Sequence, residues 1–185
     1  MRSLPAFVLA TVLGLMVASC GLWVMTSQDT KPSPKSNSDK AVLVIMRTTS
    51  YGAGATISNY LDGKIIGQTK GKSYFFTEVT PGKHSLVCRN ENMRPHEINF
   101  EAGKVYYLQQ AIYMGMMAAR TEYDTLNPQI FEEQKPECDF VVFDPALAEG
   151  EDEATVDMEE VKEERAEQLA DQPDYFTKVD NLRGF

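Results

Sequence analysis

Ile57-Ser-Asn-Tyr-Leu-Asp62-Gly63-Lys64-Ile-Ile-Gly67-Gln68 is the stretch from which the fold is read. Ile57 to Leu61 and Lys64 to Gln68 are two short strand-like runs flanking Asp62-Gly63. Both central residues of a type I′ turn need positive φ, which aspartate tolerates and glycine adopts freely, so the pair predicts a tight hairpin. A hairpin at this point makes the surrounding runs candidates for further antiparallel strands.

Downstream, Ser73 to Val79 and His84 to Arg89 are joined by Thr80-Pro81-Gly82-Lys83, where proline presets φ and glycine takes the left-handed position. His96 to Phe100, the turn Glu101-Ala-Gly-Lys104 and a long strand from Val105 to about Tyr113 follow. Upstream, Ala41-Val-Leu-Val-Ile-Met46 is an unbroken, β-branched run, as expected of a strand buried on both faces, and Tyr51 to Ala55 reads as a loop. Ala118 to Leu126 returns as a strand. Asn127-Pro128 supplies a helix cap followed by proline at the first helical position, opening a short helix to about Gln134. Asp139 to Phe143 is the last core strand. Strands at this spacing, separated by turn chemistry, predict a mainly β domain over residues 41–145: an antiparallel β-sandwich, immunoglobulin-like or a small barrel.

The chain has 185 residues, room for one such domain plus extensions. Its net charge of -9 is unevenly spread, because residues 146–185 hold four Lys and Arg against thirteen Asp and Glu, while residues 1–145 balance. Without a basic footprint to displace phosphate counterions, nucleic acid is not an expected partner.

At the N-terminus, Met1 and Arg2 precede an apolar run from Ala6 to Val17 of signal-peptide length. Val17-Ala18-Ser19-Cys20 resembles the lipobox of bacterial lipoproteins, in which the chain is cut before a cysteine that carries diacylglyceryl and a further acyl chain such as palmitate. The resemblance implies cleavage between Ser19 and Cys20 and lipid attachment at Cys20. At roughly 0.8 kcal/mol per buried CH₂, several chains give lasting membrane attachment. Gly21, rather than the aspartate that commonly retains lipoproteins in the inner membrane, implies outer-membrane sorting, with the periplasmic face of the inner membrane as the alternative.

After Cys20 the chain stays apolar through Gly21-Leu22-Trp23-Val24-Met25, which leaves two rivals open. Leu4 to Met25 is long enough for an uncleaved anchor of a bitopic inner-membrane protein, and a plain secretory signal is the other. Thr26 to Lys40, polar with two prolines, reads as a flexible tether. The expected organisation is thus signal peptide 1–19, lipidated cysteine and tether 20–40, β domain 41–145, and an acidic, partly helical tail 146–185.

Asn59-Tyr-Leu-Asp-Gly-Lys64 with Gly67, then Pro81-Gly-Lys-His84, then Glu101-Ala-Gly-Lys-Val-Tyr-Tyr107 resemble a family of bacterial predicted lipoproteins built on a domain of unknown function. Similar wording occurs in the PEGA class of surface β-modules. The resemblance spans roughly residues 41 to 135 and implies an envelope-anchored β-sandwich without established chemistry.

No residue set rises to a catalytic or cofactor site. Gly67-Gln-Thr-Lys-Gly71-Lys72-Ser73 is one residue short of a P-loop and runs into a strand instead of a helix. His84 and Ser85 are strand neighbours that point to opposite faces, which rules out a relay between them. His84, His96 and Cys88 are a poor zinc set, and Met114, Met116 and Met117 suit packing better than copper. With Cys20 assigned to lipid, Cys88 and Cys138 are a candidate disulfide in an oxidising compartment. Among Tyr74, Phe75, Phe76, Tyr106, Tyr107 and Tyr113, alternation sends one subset to the core and leaves an outer row suited to a glycan or peptide.

The tail's Met158, Val161, Arg165 and Leu169 form a stripe too thin for strong docking, so the reading there is a solvated helix. The aromatic end, Asp174 to Phe185, is suited to dock on the sandwich or to present itself to a partner. The expectation is a non-enzymatic envelope lipoprotein without metal or cofactor, its sandwich serving binding or structural support. The alternative is an accessory factor that recruits an envelope protein complex through the acidic tail.

Overall fold

The computed structural model describes residues 22–114 and 119–185. Ser19 and Cys20, the signal segment, and Met116 and Met117 lie outside the described residues. In chain order the elements are β1 (Met25–Gln28), β2 (Ala41–Arg47), β3 (Ile57–Leu61), β4 (Lys64–Thr69), β5 (Ser73–Val79), β6 (Gly82–Arg89), β7 (Met93–Phe100), β8 (Val105–Met114), β9 (Ala119–Thr125), α1 (Pro128–Gln134), β10 (Asp139–Phe143), α2 (Pro145–Ala148), α3 (Met158–Asp171) and α4 (Pro173–Asp180).

These strands make an open β-sandwich rather than a closed barrel: a six-stranded sheet ordered β1-β10-β5-β2-β8-β9 and a four-stranded sheet ordered β4-β3-β6-β7. The Asp62-Gly63 turn forms as expected, with φ of 49° and 82°, between paired β3 and β4. The larger sheet is mixed where the sequence predicts antiparallel pairing throughout, since β2 runs parallel to β8 and β10 parallel to β5. Turn chemistry reports local hairpins only, and both parallel pairs join strands far apart in sequence.

β2 is buried along its whole length. Leu43 and Ile45 face the core between the sheets, while Val42, Val44 and Met46 face a second cluster outside the larger sheet. That outer cluster is roofed by α1, capped as read by the Asn127 side chain, through fully buried Phe131. The unbroken apolar run Ala41 to Met46 is thus what a strand with a layer on each side demands.

β7 starts three residues earlier than the sequence suggests and includes Pro95 opposite Val87. Proline is tolerated because β7 is an edge strand, whose outer side lacks a ladder partner. That edge is covered by the tail: Gln168 Nε2 donates to the Met93 carbonyl at 2.9 Å and Arg165 Nη1 to the Pro95 carbonyl at 3.3 Å. Covering an exposed edge in this way removes a template for pairing with another chain.

Two sequence expectations therefore change. The tail is docked: α3 buries Val161, and α4 buries Phe176 and Val179. The apolar stripe of α3 is indeed thin, with Leu169 exposed, but hydrogen bonds from Arg165 and Gln168 to edge carbonyls supply the attachment. The stretch read as a tether is also held. Met25 to Gln28 pairs antiparallel with β10, Lys31 Nζ donates to the Pro136 carbonyl at 2.7 Å, and the Tyr74 hydroxyl donates to the Pro32 carbonyl at 3.0 Å.

Candidate functional site

The described surface carries an open cleft of about 700 Å³ where the chain enters the fold, lined by Leu22, Gly54 to Thr56, Ser58, Gln68, Arg89, Asn90, Asp152 and Glu153 among others. Its floor is the outer face of the smaller sheet. Neighbouring residues on a strand alternate in direction, so Ser58 points out while Ile57 and Asn59 point into the core. Gln68 opposes Ser58 in the ladder and uses its amide as a backbone surrogate. Its Oε1 accepts from Val24 N–H at 2.8 Å, while its Nε2 donates to the Leu22 carbonyl at 3.0 Å and to Ser58 Oγ at 2.9 Å. The entering chain is thus fixed as though it were one more strand, and Val24 is fully buried.

Behind the cleft, a polar network crosses the core between the sheets. Asn59 Oδ1 accepts from Tyr123 Oη at 2.6 Å and from Gln110 Nε2 at 2.7 Å, and Thr69 Oγ1 donates to Gln110 Oε1 at 2.5 Å. Asn59, Thr69, Gln110 and Tyr123 are all essentially fully buried. Each group has its partner, so the network joins the sheets in one register rather than offering reactive atoms. Burial moves the Tyr123 phenol well above its ordinary pKa, which keeps it a neutral donor.

A second cluster lies where α3 and α4 close the gap between edge strands β7 and β9. His96, fully buried, has Nδ1 3.0 Å from Asp180 Oδ1 and Nε2 3.2 Å from Tyr175 Oη. Tyr175 Oη accepts from Tyr123 N–H at 3.1 Å, and Arg165 Nη2 donates to Asp180 Oδ2 at 2.6 Å. Beside them Arg94 donates to Glu122 at 3.1 Å and to Gln168 at 3.0 Å. Burial lowers the His96 pKa against the raising effect of Asp180. For Asp180, burial pushes upward, but hydrogen bonds from His96 and Arg165 outweigh it and hold the carboxylate below its usual range. Although Asp, His and Tyr in this order have the connectivity of a proton relay, they do not line the cleft of about 700 Å³. The arrangement clamps the tail around a fully buried His96 imidazole.

The residues singled out in the sequence are placed apart. His84 holds two turns together, with Nδ1 2.6 Å from Asp62 Oδ2 and Nε2 2.9 Å from the Thr80 carbonyl. Cys88 lies in the core beside Thr121, and Cys138 lies under α1 with its thiol toward the Arg47 carbonyl. Both cysteines are free and buried, in different clusters, so the candidate disulfide is not formed. Among the described residues no three His, Cys, Asp or Glu side chains converge as a metal site would require. Gly67 to Ser73 spans the end of β4, a turn and the start of β5, as read. The outer aromatic row is covered: Tyr74, Phe76 and Tyr107 pack with Phe131 and Phe140, and of the six aromatics only Tyr113 is widely exposed.

Asp180, Tyr175 and Arg165 were missed as a set because they meet His96 only in the folded chain. The available signal was the return of aromatics after an acidic run. Gln68, inside the β3–β4 hairpin, carries no such signal, since its distant partners are backbone groups of Leu22 and Val24.

Residues 37–122 match the model of a protein of unknown function (DUF2846). No curated protein matches the chain. The matched stretch contains β2 to β8 and part of β9. The pieces that complete the sandwich, namely β1, β10, α1 and the α3–α4 clamp, fall outside it.

Proposed function

We propose that this chain, with a DUF2846 domain at its centre, is a bacterial envelope lipoprotein acylated at Cys20 after cleavage behind Ser19. Its sandwich serves binding or structural support and performs no catalysis. The observation that carries the reading concerns the apolar residues after Cys20, which are the main argument for an uncleaved spanning helix. Leu22, Trp23, Val24 and Met25 have a different use: Val24 and Met25 are core residues, and Leu22 and Trp23, partly buried, pack against the core between the sheets. Residues committed to an extended, buried segment are withdrawn from a membrane helix, which leaves Ala6 to Val17 as a run of signal length. Among the described residues no helix is long and apolar enough to cross a membrane. By analogy with the sorting rule for Gly21, the outer membrane is the proposed site.

Intact mass of the membrane-extracted protein tests this. The expected mass lacks Met1 to Ser19 and carries diacylglyceryl plus one acyl chain, and Cys20→Ser leaves the precursor uncut. A full-length, unmodified mass overturns the reading in favour of the bitopic anchor.

A second reading, recruitment of an envelope protein complex, is favoured by the row Glu159, Glu160, Glu163 and Glu167, all exposed on docked α3. Reversing these four charges leaves the clamp residues in place and abolishes co-purification of a basic partner if the reading holds.

A further inference from the structure

Resting on acylation at Cys20, we infer that the end of the sandwich where the chain enters lies directly on the lipid headgroup layer, with no tether between fold and anchor. The segment that the sequence offers as a tether has no slack. Gln68 grips the backbone at Leu22 and Val24, the Asp144 N–H donates to the Val24 carbonyl at 2.9 Å, and β1 is laddered to β10. Gly21 alone separates Cys20 from Leu22. Two residue steps span at most about 7 Å, so a lipid on Cys20 holds Leu22 within that distance of the headgroups.

Leu22 lies in the cleft among Gly54, Ala55, Thr56, Arg89 and Asn90, which belong to the loops and the end of β6 at one end of the sandwich. These loops are bonded into one surface. Lys72 N–H donates to the Thr49 carbonyl at 3.2 Å and Asn90 Nδ2 to the Thr56 carbonyl at 2.6 Å. β2 and β8 run parallel and end on this side, which places exposed Tyr51 and Tyr113 there, 55% and 54% accessible. Trp23 carries Lys70 Nζ 4.2 Å over its ring, and Arg89 and Arg120 are exposed. Aromatic rings with polar tips beside Lys and Arg are the composition of a membrane interface, where the ring sits at headgroup level and the cation reaches outward. Asp152 and Glu153 on the facing wall of the cleft oppose a strong preference for anionic lipid. The surface is held by the anchor and its aromatics more than by charge.

Trp23 is the chain's single tryptophan and so reports on this surface without labelling. The acylated protein is reconstituted in phosphatidylcholine vesicles with chains brominated near the headgroup, and Trp23 emission is compared with that in unbrominated vesicles. Quenching of about twofold or more is expected, falling toward none when about twelve Gly and Ser residues, with a reach of roughly 20 Å, are inserted between Gly21 and Leu22. Unchanged far-ultraviolet circular dichroism verifies the fold of the insertion variant. An acylated protein without quenching overturns the placement and leaves the anchor reading standing. Quenching unaffected by the insertion overturns the claim that the short connection holds the surface down. A mass without acyl chains removes both the anchor and the placement.

Discussion

His96 Nδ1 lies 3.0 Å from Asp180 Oδ1, tying an edge strand to the last helix across 84 residues of sequence. The contacts define the tautomer. Nδ1–H donates to Asp180, which leaves Nε2 to accept from the Tyr175 hydroxyl, whose oxygen in turn accepts from Tyr123 N–H. A neutral imidazole satisfies every member of the chain.

This arrangement predicts a stability that falls on acidification. Burial lowers the His96 pKa, so as pH drops below about 6.5 the unfolded chain takes up a proton that the folded chain resists. The stabilisation is complete above that pH and is lost progressively as pH descends toward the folded value. Asp180, held below its ordinary range, acts in the same direction at lower pH. The groups facing His96 are Asp180 and Tyr175 from α4, Arg165 from α3, Arg94 on its own strand and Tyr123 from β9. Thermal unfolding is expected to drop by about 3 °C or more between pH 7.5 and pH 5.5, with a shallower drop in His96→Gln. Equal slopes in the two proteins would remove His96 as the cause.

The polar network makes Asn59 irreplaceable by a residue of similar size. In Asn59→Leu, Tyr123 Oη and Gln110 Nε2 both lose their acceptor at Asn59 Oδ1. Leaving buried donors unpaired costs about 2–4 kcal/mol in urea denaturation. Adding Tyr123→Phe removes one orphan and returns about 1 kcal/mol, a coupling that a double-mutant cycle reads directly.

The tail completes the core. Phe176→Ala, at a fully buried position, is expected to lower stability by about 3–5 kcal/mol. Truncation after Asp157 removes α3 and α4 together, with Phe176, Val179, Leu182 and the Asp180 clamp, and exposes the Met93 to Phe100 edge that Arg165 and Gln168 cover. The truncated protein is expected to aggregate on concentration, measured by light scattering, whereas a merely solvated tail would leave the sandwich monomeric.

Both described cysteines are sheltered thiols. Burial pushes the Cys88 thiol up to about 12 and raises that of Cys138, and neither is bonded. In the native protein both are expected to resist a thiol reagent at pH 8 and to react at once in denaturant, with identical mobility in reducing and non-reducing gels. A native disulfide would show as two thiols that stay unreactive in denaturant until reduced.

The sequence by itself determined the elements whose causes are local. The Asp62-Gly63 hairpin, the Asn127-Pro128 helix start and the double burial of Ala41 to Met46 are dictated by backbone preference and by apolar pattern, which neighbouring residues display in full. Tertiary structure alone decided what depends on a distant partner. It made Met25 to Gln28 a strand through β10, placed Pro95 inside an edge strand, and brought Asp180 to His96. It also turned a thin-striped acidic helix into a clamp, because Arg165 and Gln168 bind carbonyls that the sequence does not reveal as free. Leu22 to Met25 shows the division most clearly. The same apolar residues suit a membrane helix or a sandwich core, and the choice rests on Gln68, more than forty residues away, holding the backbone extended.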